Sequence, residues 1–373
     1  MTHVSVIMPV HNRADLVAES IQSIQNQTLT DWELIVIDDA SQDHTVEVVK
    51  RIQDERIRLV EMPTKTNLPM LRNYGFDLAR GEYIAFMDSD DISVPERLQV
   101  EAEFLDANPD YGVVSGNYQF FGGYDKFYDM PKGNDTITNS LLFRSAIANG
   151  ASMFRRSLVT ELGVRMRPHY YLAEDYAFWV DLMGKTKMEN LDLLLLRVRS
   201  HDQQITMQSW TDPGHLRFRK LILDEIHRTA FENMNIVLSE GDLTTFNRMV
   251  GDANRNLTIT ADDLQDLRLV FDKILAQSLD HPHLKPEILQ DLSALHDRLP
   301  LPMSRNMMDQ WLGSGEVSKE EASQLVDAVV SQAYDVASQW EMYPVDPAVG
   351  SVRNNGPELI EPFDPTGGQD TLV

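Results

Sequence analysis

Short apolar runs alternate with amphipathic segments along the first third of the chain. The apolar runs are rich in Val and Ile and predict five buried strands, at residues 4–8, 33–39, 56–62, 82–88 and 112–121. Between them, apolar residues recur at helical spacing and predict four helices, at residues 15–27, 43–54, 67–79 and 93–108. Strands separated by single helices favour βαβ units, so we expect an α/β fold with a mostly parallel central sheet flanked by helices.

Two of the predicted helices begin with capping signals. Asn67 followed by Pro69 is typical of an N-cap residue and a first helical turn. Ser93 and Glu96, on either side of Pro95, match the capping-box pattern. We therefore expect helices to begin at both places.

The pattern is less regular in the rest of the chain. Residues 122–149 are rich in Gly, Tyr and Asp and predict a loop-rich insert. Then follow a strand with a short helix, a helix and a strand, at 150–163, 174–185 and 190–201. After Trp210 only helices are predicted, at 215–235, 242–250, 260–279, 285–298 and 318–339. We expect an α/β domain, a helical domain and a flexible Pro-rich acidic tail, over residues 1–210, 211–340 and 341–373.

Polar side chains stand where the predicted strands end. The residues that follow the first, second and fourth strands are His11 and Asn12, Asp38 and Asp39, and Asp88, Asp90 and Asp91. Because ligands bind outside the carboxyl ends of parallel strands, we expect these side chains to converge on one site. Crowded carboxylates repel one another, so a metal ion carrying an anionic ligand is the leading candidate for that site.

Composition narrows the classes of chemistry. The formal net charge of −25 argues against a nucleic-acid partner, and it makes a phosphate ligand depend on a cation or a local basic pocket. The chain has no cysteine, which excludes thiolate metal sites and a Cys nucleophile. No window approaches the roughly 18–20 apolar residues of a membrane span, and the first residues lack a signal-peptide pattern. We expect a cytoplasmic protein, with the inner membrane face as a candidate location.

Five motifs in order make residues 1–210 resemble the inverting glycosyltransferases of family 2, which have the GT-A fold. The motifs are SVIMPVHNR, QSIQNQTLTDWELIVIDDASQDHT, NLPMLRNYGFDLARGEYIAFMDSDD, the ED of LAEDYAFW and the RSH of LLRVRSHDQQIT. The resemblance implies a Rossmann-like GT-A domain that binds a nucleoside-diphosphate sugar, with UDP as the expected nucleotide. It implies transfer of the sugar to a hydroxyl of a saccharide, polysaccharide or lipid-linked acceptor, as in polysaccharide biosynthesis.

The resemblance also implies roles for individual residues. Asp175 would be the general base that takes the proton of the acceptor hydroxyl. Asp88 and Asp90 form a DxD motif, in which Asp90 and His201 would be ligands of Mn²⁺ or Mg²⁺ and Asp88 would lie nearer the ribose or a metal-bound water. The residues expected to bind the nucleotide sugar are Pro9, Val10, His11, Asn12, Arg13, Asp39, Asn67, Arg72, Asp88 and Ser89. Glu174 and Trp179 are the candidates for acceptor contact.

Plainer interpretations stay open for several of these residues. Asp38 and Asp39 are also suited to cap a turn and the following helix. Asp91 fits a solvated turn, Trp179 fits the core, and His201 fits a surface or capping position.

Rival functions stay open as well. A sugar-phosphate nucleotidyltransferase usually carries a Gly-rich basic loop where this chain reads PVHNRADL, and a phosphatase needs a different context from DISVPER after its carboxylates. A non-catalytic nucleotide-sugar-binding module is the third rival. The helical region after Trp210 is a candidate for acceptor recognition, homodimer formation or peripheral membrane contact, the last because of the basic residues in LRFRKLILDEIHR.

Overall fold

The computed structural model describes residues 2–201, 213–250 and 261–278, which all lie in one compact unit of the chain. Nine strands of this part form a single sheet. They are β1 (Val4–Val10), β2 (Trp32–Asp38), β3 (Ile57–Glu61), β4 (Tyr83–Phe86), β5 (Ile92–Ser93), β6 (Tyr111–Phe121), β7 (Phe127–Tyr128), β8 (Met153–Arg155) and β9 (Lys187–Arg199). The helices are α1 (Val17–Gln25), α2 (Thr45–Arg51), α3 (Leu68–Leu78), α4 (Arg97–Ala107), α5 (Asn134–Ser140), α6 (Ser157–Thr160), α7 (Glu174–Leu182), α8 (Pro213–Asn233), α9 (Glu240–Val250) and α10 (Ala261–Ser278).

The strand order across the sheet is β3-β2-β1-β4-β8-β6-β9-β5, and β7 pairs with β6. The first four strands run parallel, as the alternating pattern predicts. Beyond β4 the sheet is mixed, because β8 runs antiparallel to both of its neighbours while β6 and β9 run parallel to each other. The α/β class is therefore confirmed, whereas the expectation of a mostly parallel sheet holds only for the first four strands. Antiparallel neighbours need no crossover helix, which is why the helix-rich pattern did not indicate them.

The two faces of the sheet bury different helices. On one face, alternate residues of β1 join a core cluster with α1, α2 and α4. On the other face, Ile7 meets α3 at Gly75, where a Cβ atom would come within 2.6 Å of the Ile7 Cγ2 atom. A side chain at position 75 would therefore push α3 away from the sheet. Aromatic rings from β4, β8, α3 and α7 pack together on this second face.

Of the two predicted capping signals, one is confirmed and one is wrong. The Asn67 side chain caps α3 by accepting a hydrogen bond from the Met70 N–H at 3.1 Å. Ser93 instead lies in β5, and its hydroxyl accepts a hydrogen bond from the Gln27 side chain at 3.1 Å. The helix α4 begins later, after Glu96, which makes no side-chain cap. Ser93 pairs with Leu196 of β9 in the sheet and therefore does not cap α4.

The helices predicted at residues 215–235, 242–250 and 260–279 are present as α8, α9 and α10. The two further helices and the tail predicted beyond residue 279 lie outside the described residues. The domain boundary at residue 210 stays a prediction. No helix in the described part of the chain is both long and apolar enough to span a bilayer.

Candidate active site

The polar side chains that follow β1, β2 and β4 do converge at one edge of the sheet, where the end of β9 and the start of α7 join them. An open cavity of about 240 Å³ lies at this edge. The cavity is lined by Asp88, Asp91, Tyr118, Met130, Ser145, Ile147, Ala148, Asn149, Gly150, Asp175, Leu196 and Val198. Three carboxylates therefore share a wall with apolar side chains, many of which come from the 122–149 insert.

The loops after β1 and β2 are tied to each other. The Asn12 N–H donates to the Ser41 hydroxyl at 2.9 Å, and the Asn12 side chain accepts from the Gln42 N–H at 2.8 Å. Asn12 and Ala40 both have positive φ angles, of 51° and 53°. Asn adopts this conformation more readily than most residues, but Ala does so rarely, so the hydrogen bonds of Asn12 and the conformation of Ala40 indicate that these turns are preorganised rather than loose.

Asp39 lies buried at the floor of these loops. One of its oxygens accepts from the Thr66 N–H at 2.7 Å and from the Thr66 hydroxyl at 3.1 Å. The His11 Nδ1 atom is 2.9 Å from the Asp39 backbone oxygen, and its Nε2 atom is 3.0 Å from the Lys65 ammonium. The sequence reasoning missed Lys65, although the loop after the third strand ends at the same edge of the sheet.

Two of the three residues predicted around the metal, Asp90 and His201, lie side by side. The Asp90 Oδ2 atom is 3.0 Å from His201 Nε2 and accepts from Arg13 Nε at 3.1 Å. Asp88 does not join them, because its Oδ1 atom accepts from Arg72 at 3.2 Å. Within residues 2–201, 213–250 and 261–278, no three His, Asp or Glu side chains form a group that could hold a metal ion.

Arg72 lies between two carboxylates. Its side chain is only 3% exposed, with 3.2 Å to Asp88 and 3.2 Å to Glu174. The guanidinium thus pairs with two carboxylates of the protein, and its role as a donor to the nucleotide stays a prediction. Arg72 therefore connects Asp88, which follows β4, to Glu174, the first residue of α7.

Asp91 lines the site, as expected from its place after the fourth predicted strand. The plain interpretation, a solvated turn, is wrong, because Asp91 is 4% exposed and accepts from the Arg199 N–H at 2.9 Å. Arg199 also donates from Nε to the Asp90 backbone oxygen at 3.0 Å. The loop of residues 88–91, called the carboxylate loop below, is thus bound to the end of β9. The same contact brings His201 close to Asp90.

Gly150 allows the insert to approach these carboxylates closely. A Cβ atom at this position would lie 3.3 Å from the Asp88 Oδ2 atom and 2.9 Å from a methyl group of Leu196. Any side chain here would narrow the cavity beside Asp88. Its sequence context, SAIANGASM, gave no signal of this role.

The proximity of the carboxylates changes their acidity. Burial raises the pKa of Asp88, Arg72 opposes the shift, and Asp90 and Asp175 add to it. Although 39% of the Asp88 side chain is exposed, that part faces the cavity, where the surrounding protein limits hydration. Burial likewise raises the pKa of Asp91, with Asp88 and Asp90 adding to the shift. The site is therefore short of positive charge and suited to a cation.

The acidic pair at the start of α7 divides into two environments. Glu174 is 7% exposed, and burial raises its pKa even though Arg72 pairs with it. Asp175 instead lines the cavity, and one of its oxygens accepts from the Tyr176 N–H at 2.8 Å. Both lie in the first helical turn, as the sequence predicts. Asp175 is thus the member of the pair that can reach a molecule in the cavity.

Trp179 does not reach the cavity. Its side chain is 0% exposed and its ring packs against Phe86, Phe154 and Phe178. The prediction of acceptor contact by Trp179 is therefore wrong and its plainer core interpretation holds, because α7 turns this position toward the sheet. The remaining predicted site residues lie at strand ends or helix starts on the site's edge of the sheet: Pro9, Val10, Asn67 and Ser89.

Comparison with known proteins identifies glycosyltransferases that are similar to this chain. A model described as glycosyl transferase family 2 matches residues 5–163. EpsE of Bacillus subtilis, a protein named as a glycosyltransferase, is 41% identical over 217 residues, which cover 56% of this chain and 77% of EpsE. The Escherichia coli UDP-Glc:alpha-D-GlcNAc-diphosphoundecaprenol beta-1,3-glucosyltransferase WfgD is 29% identical, over 48% of this chain and 69% of WfgD.

Solved structures give a matching fold. Two crystal structures of TarS from S. aureus, with UDP and with UDP-GlcNAc, have TM-scores of 0.54 and 0.52 at 16% and 18% identity. The alignments cover 92% of this chain, and 94% and 95% of the TarS chains. At this identity the likeness establishes the GT-A fold and nothing finer.

Proposed function

Because this chain belongs to glycosyltransferase family 2, we propose that it transfers a sugar from a UDP-sugar to a hydroxyl of a saccharide or lipid-linked acceptor, with inversion at the anomeric carbon. The observation that carries the proposal is the cavity that Asp88 and Asp175 share. A single displacement requires a general base that faces the attacking hydroxyl, and Asp175 faces the same space as Asp88, the carboxylate beside the predicted diphosphate site.

In this mechanism Asp175 is the general base. Its carboxylate takes the proton of the acceptor hydroxyl while that oxygen attacks the anomeric carbon from the side opposite the leaving group. The bond to the diphosphate oxygen breaks with its electron pair, and UDP leaves as one bond replaces the other. The first turn of α7 places Asp175 at the N-terminal, positive end of the helix dipole.

A divalent cation fits the residues around Asp90. Asp90 and His201 supply an oxygen and a nitrogen 3.0 Å apart, a donor pair suited to Mn²⁺ and also usable by Mg²⁺. Two protein ligands are enough when a diphosphate supplies further oxygens. When bound, the cation would neutralise charge on the leaving diphosphate. Arg13 already contacts Asp90 and would add a fixed positive charge beside it.

The nucleotide is proposed to be UDP and to lie over the loops after β1 and β2. A carboxylate oxygen of Asp39 can accept from the N–H of uracil, while Thr66 holds the side chain in place. The names of two similar proteins support this choice, since WfgD is named for UDP-Glc and TarS has been crystallised with UDP and UDP-GlcNAc.

The acceptor is proposed to enter past the insert, which supplies much of the cavity wall. Met130, Ile147 and Tyr118 give that wall an apolar and aromatic surface beside the carboxylates. The name of WfgD specifies a sugar diphosphate-linked lipid as its acceptor, which supports a saccharide or lipid-linked acceptor here. The helical region over 211–340 is proposed as a separate domain that assists acceptor recognition.

The first test is nucleotide-dependent stabilisation. The melting temperature is measured with UDP, GDP, dTDP or CDP, each with Mn²⁺ or with EDTA. A ligand that binds the native state stabilises it by roughly 2.7 kcal/mol at a hundred times its Kd. We expect UDP with Mn²⁺ to give the largest shift, and Asp90→Ala to remove the metal-dependent part. No shift with any nucleotide would contradict the proposal.

The second test identifies the reaction. A nucleotidyltransferase would consume UTP and a sugar phosphate, whereas the proposed enzyme releases UDP from a UDP-sugar. The anomeric configuration of the transferred sugar, measured by NMR, decides between inversion and retention. Retained configuration would contradict a single displacement, while binding of a UDP-sugar without any turnover would favour a non-catalytic binding module.

A further inference from the structure

Leu172, just ahead of the acidic pair of α7, has an unusual backbone conformation. Its φ angle is 82°, in the left-handed region that a leucine rarely adopts. Leucine has no polar side chain that could stabilise this conformation locally, so the surroundings must hold it. The side chain is 8% exposed and packs in the protein interior. Leu172 lies three residues before the proposed base, Asp175, so the contacts that stabilise its backbone conformation also affect the position of that base.

Both peptide groups of Leu172 are held by charged side chains. Its N–H donates to the Glu174 Oε2 atom at 3.0 Å. Its carbonyl oxygen accepts a hydrogen bond from the guanidinium of Arg219. Hydrogen bonds to charged groups are about twice as strong as those between neutral groups. The turn is therefore fastened on one side by α7 itself and on the other by the helix α8.

The helix that carries Arg219 packs directly on α7. At its far end, the Asn233 side chain donates to the Val180 backbone oxygen at 2.8 Å. Between the two ends, the rings of His227 and Tyr176 meet edge to face at 5.9 Å. The position of Arg219 relative to the turn is thus set by contacts of α8 with Tyr176 and Val180 of α7.

We propose that Arg219 is a positioning residue for sugar transfer, which acts by holding the Leu172 carbonyl and with it the Glu174–Asp175 pair. The proposal rests on the proposed function, in which Asp175 is the base. Without the guanidinium, the backbone of Leu172 is free to rotate about its N–Cα bond toward an ordinary φ angle. This rotation would move the start of α7 and would carry the Glu174 carboxylate away from the Leu172 N–H.

The consequence for catalysis follows from the geometry. A displacement of about 1 Å in a reacting group costs on the order of 100-fold in rate, even when the altered residue lies away from the chemistry. Arg219 is not among the residues that line the cavity, so we expect donor binding to be unaffected by its substitution. The helix α8 thereby gains a role in the chemical step, in addition to any role in acceptor recognition.

The test compares Arg219→Ala and Arg219→Lys with Arg217→Ala, an exposed residue of the same helix. The release of UDP from UDP-glucose and UDP-N-acetylglucosamine, with water as the acceptor of the sugar, is followed with Mn²⁺, and kcat and KM are determined separately. Calorimetry gives the number of UDP molecules bound per chain. Hydrogen exchange of the amides in residues 171–176 is measured on the same four proteins, so that one readout does not depend on turnover.

We expect Arg219→Ala to lower kcat by roughly 10- to 100-fold, with KM and UDP stoichiometry unchanged, and to accelerate exchange at residues 171–176. Arg219→Lys should recover part of both effects, and Arg217→Ala should match the wild type. Unchanged exchange in Arg219→Ala would overturn the proposal, as would a kcat that falls only together with the UDP stoichiometry. If the wild type binds no UDP, the proposed function fails, while the exchange result still decides whether Arg219 holds the turn.

Discussion

The two sides of the sheet are built in different ways. On the side of β1, β2 and β3 the strands are parallel, and each loop of the site follows its strand within a few residues. On the side of β6, β8 and β9 the sheet is mixed, and the site depends on contacts between distant residues. The contact of Arg199 with Asp91 joins residues 108 positions apart, and that of Arg72 with Glu174 joins residues 102 apart.

This difference separates two tasks. The parallel side forms the proposed nucleotide site from local turns, whereas the mixed side brings the proposed base and the insert to the same place. Binding of the donor and transfer of the sugar should therefore respond to different substitutions. Two substitutions, of Asp175 and Asp39, test that separation, and two others, of Arg97 and Glu101, test the stability of the contact between the two sides.

The largest effect is expected on the mixed side. Asp175→Asn keeps the size of the side chain and an oxygen for the Tyr176 N–H, but it removes the proposed base. Transfer should fall by roughly 10²–10⁴-fold, the usual contribution of general base catalysis. UDP affinity, measured by calorimetry, should stay within about twofold of the wild type. Transfer at the wild-type rate would show that another group takes the proton.

The second substitution removes a side chain, Arg97, that connects the parallel side of the sheet to the mixed side; this connection is called the joint below. Arg97 is fully buried and donates to the backbone oxygens of Phe86, at the end of β4, and Ser152, which precedes β8. Its Nε atom donates to Glu101 at 3.2 Å. Arg97→Met leaves that carboxylate buried without its partner, which should lower the free energy of unfolding by about 3–5 kcal/mol.

Urea denaturation at pH 7 measures this loss. A double variant, with Arg97→Met and Glu101→Gln, is the matched control, because it removes the stranded carboxylate as well. It should recover part of the lost stability. Equal losses in the single and double variants would show that the backbone contacts, rather than the ion pair, make up the joint.

The third effect depends on pH. Burial raises the pKa of Glu101 to about 7, although Arg97 opposes the shift, whereas the unfolded chain keeps a value near 4.5. Between these values the folded protein binds more protons than the unfolded one. The free energy of unfolding therefore falls as the pH rises from about 4.5 to about 7, by at most about 3 kcal/mol from this group.

Urea denaturation across that range checks the sign. Glu101→Gln should lose this part of the pH dependence, and Glu103→Gln, at an exposed position of the same helix, should keep it. Identical pH profiles for the wild type and Glu101→Gln would mean that Glu101 stays ionised in the folded protein.

The smallest effect is expected on the parallel side. Asp39→Asn keeps an oxygen for Thr66 but loses the negative charge that would accept from the uracil N–H. We expect UDP affinity to fall about tenfold, which corresponds to about 1.4 kcal/mol. Since cytosine presents an acceptor where uracil presents a donor, the preference for UDP over CDP should shrink in the same variant. An unchanged preference for UDP over CDP would show that Asp39 does not contact the uracil ring.

The same contrast explains what the sequence could predict. Local signals placed β1 to β4, the cap at Asn67 and the polar strand ends, because strand ends and caps depend on nearby residues. The burial of Asp91 and the enclosure of Arg72 depend on β9 and α7, which lie about a hundred positions away. The local sequence around a carboxylate in a turn does not indicate that a strand far along the chain will bury it.

The junction of Arg199 with the carboxylate loop also has a consequence for protein synthesis. A ribosome adds about 5–20 residues per second, so the segment that ends at His201 follows Asp90 by on the order of 10 s. During that interval the parallel side can already fold, but its acidic loop lacks the strand that fixes it. The nascent chain would therefore acquire the loops of the proposed nucleotide site first, and the proposed catalytic centre would be complete only when β9 docks.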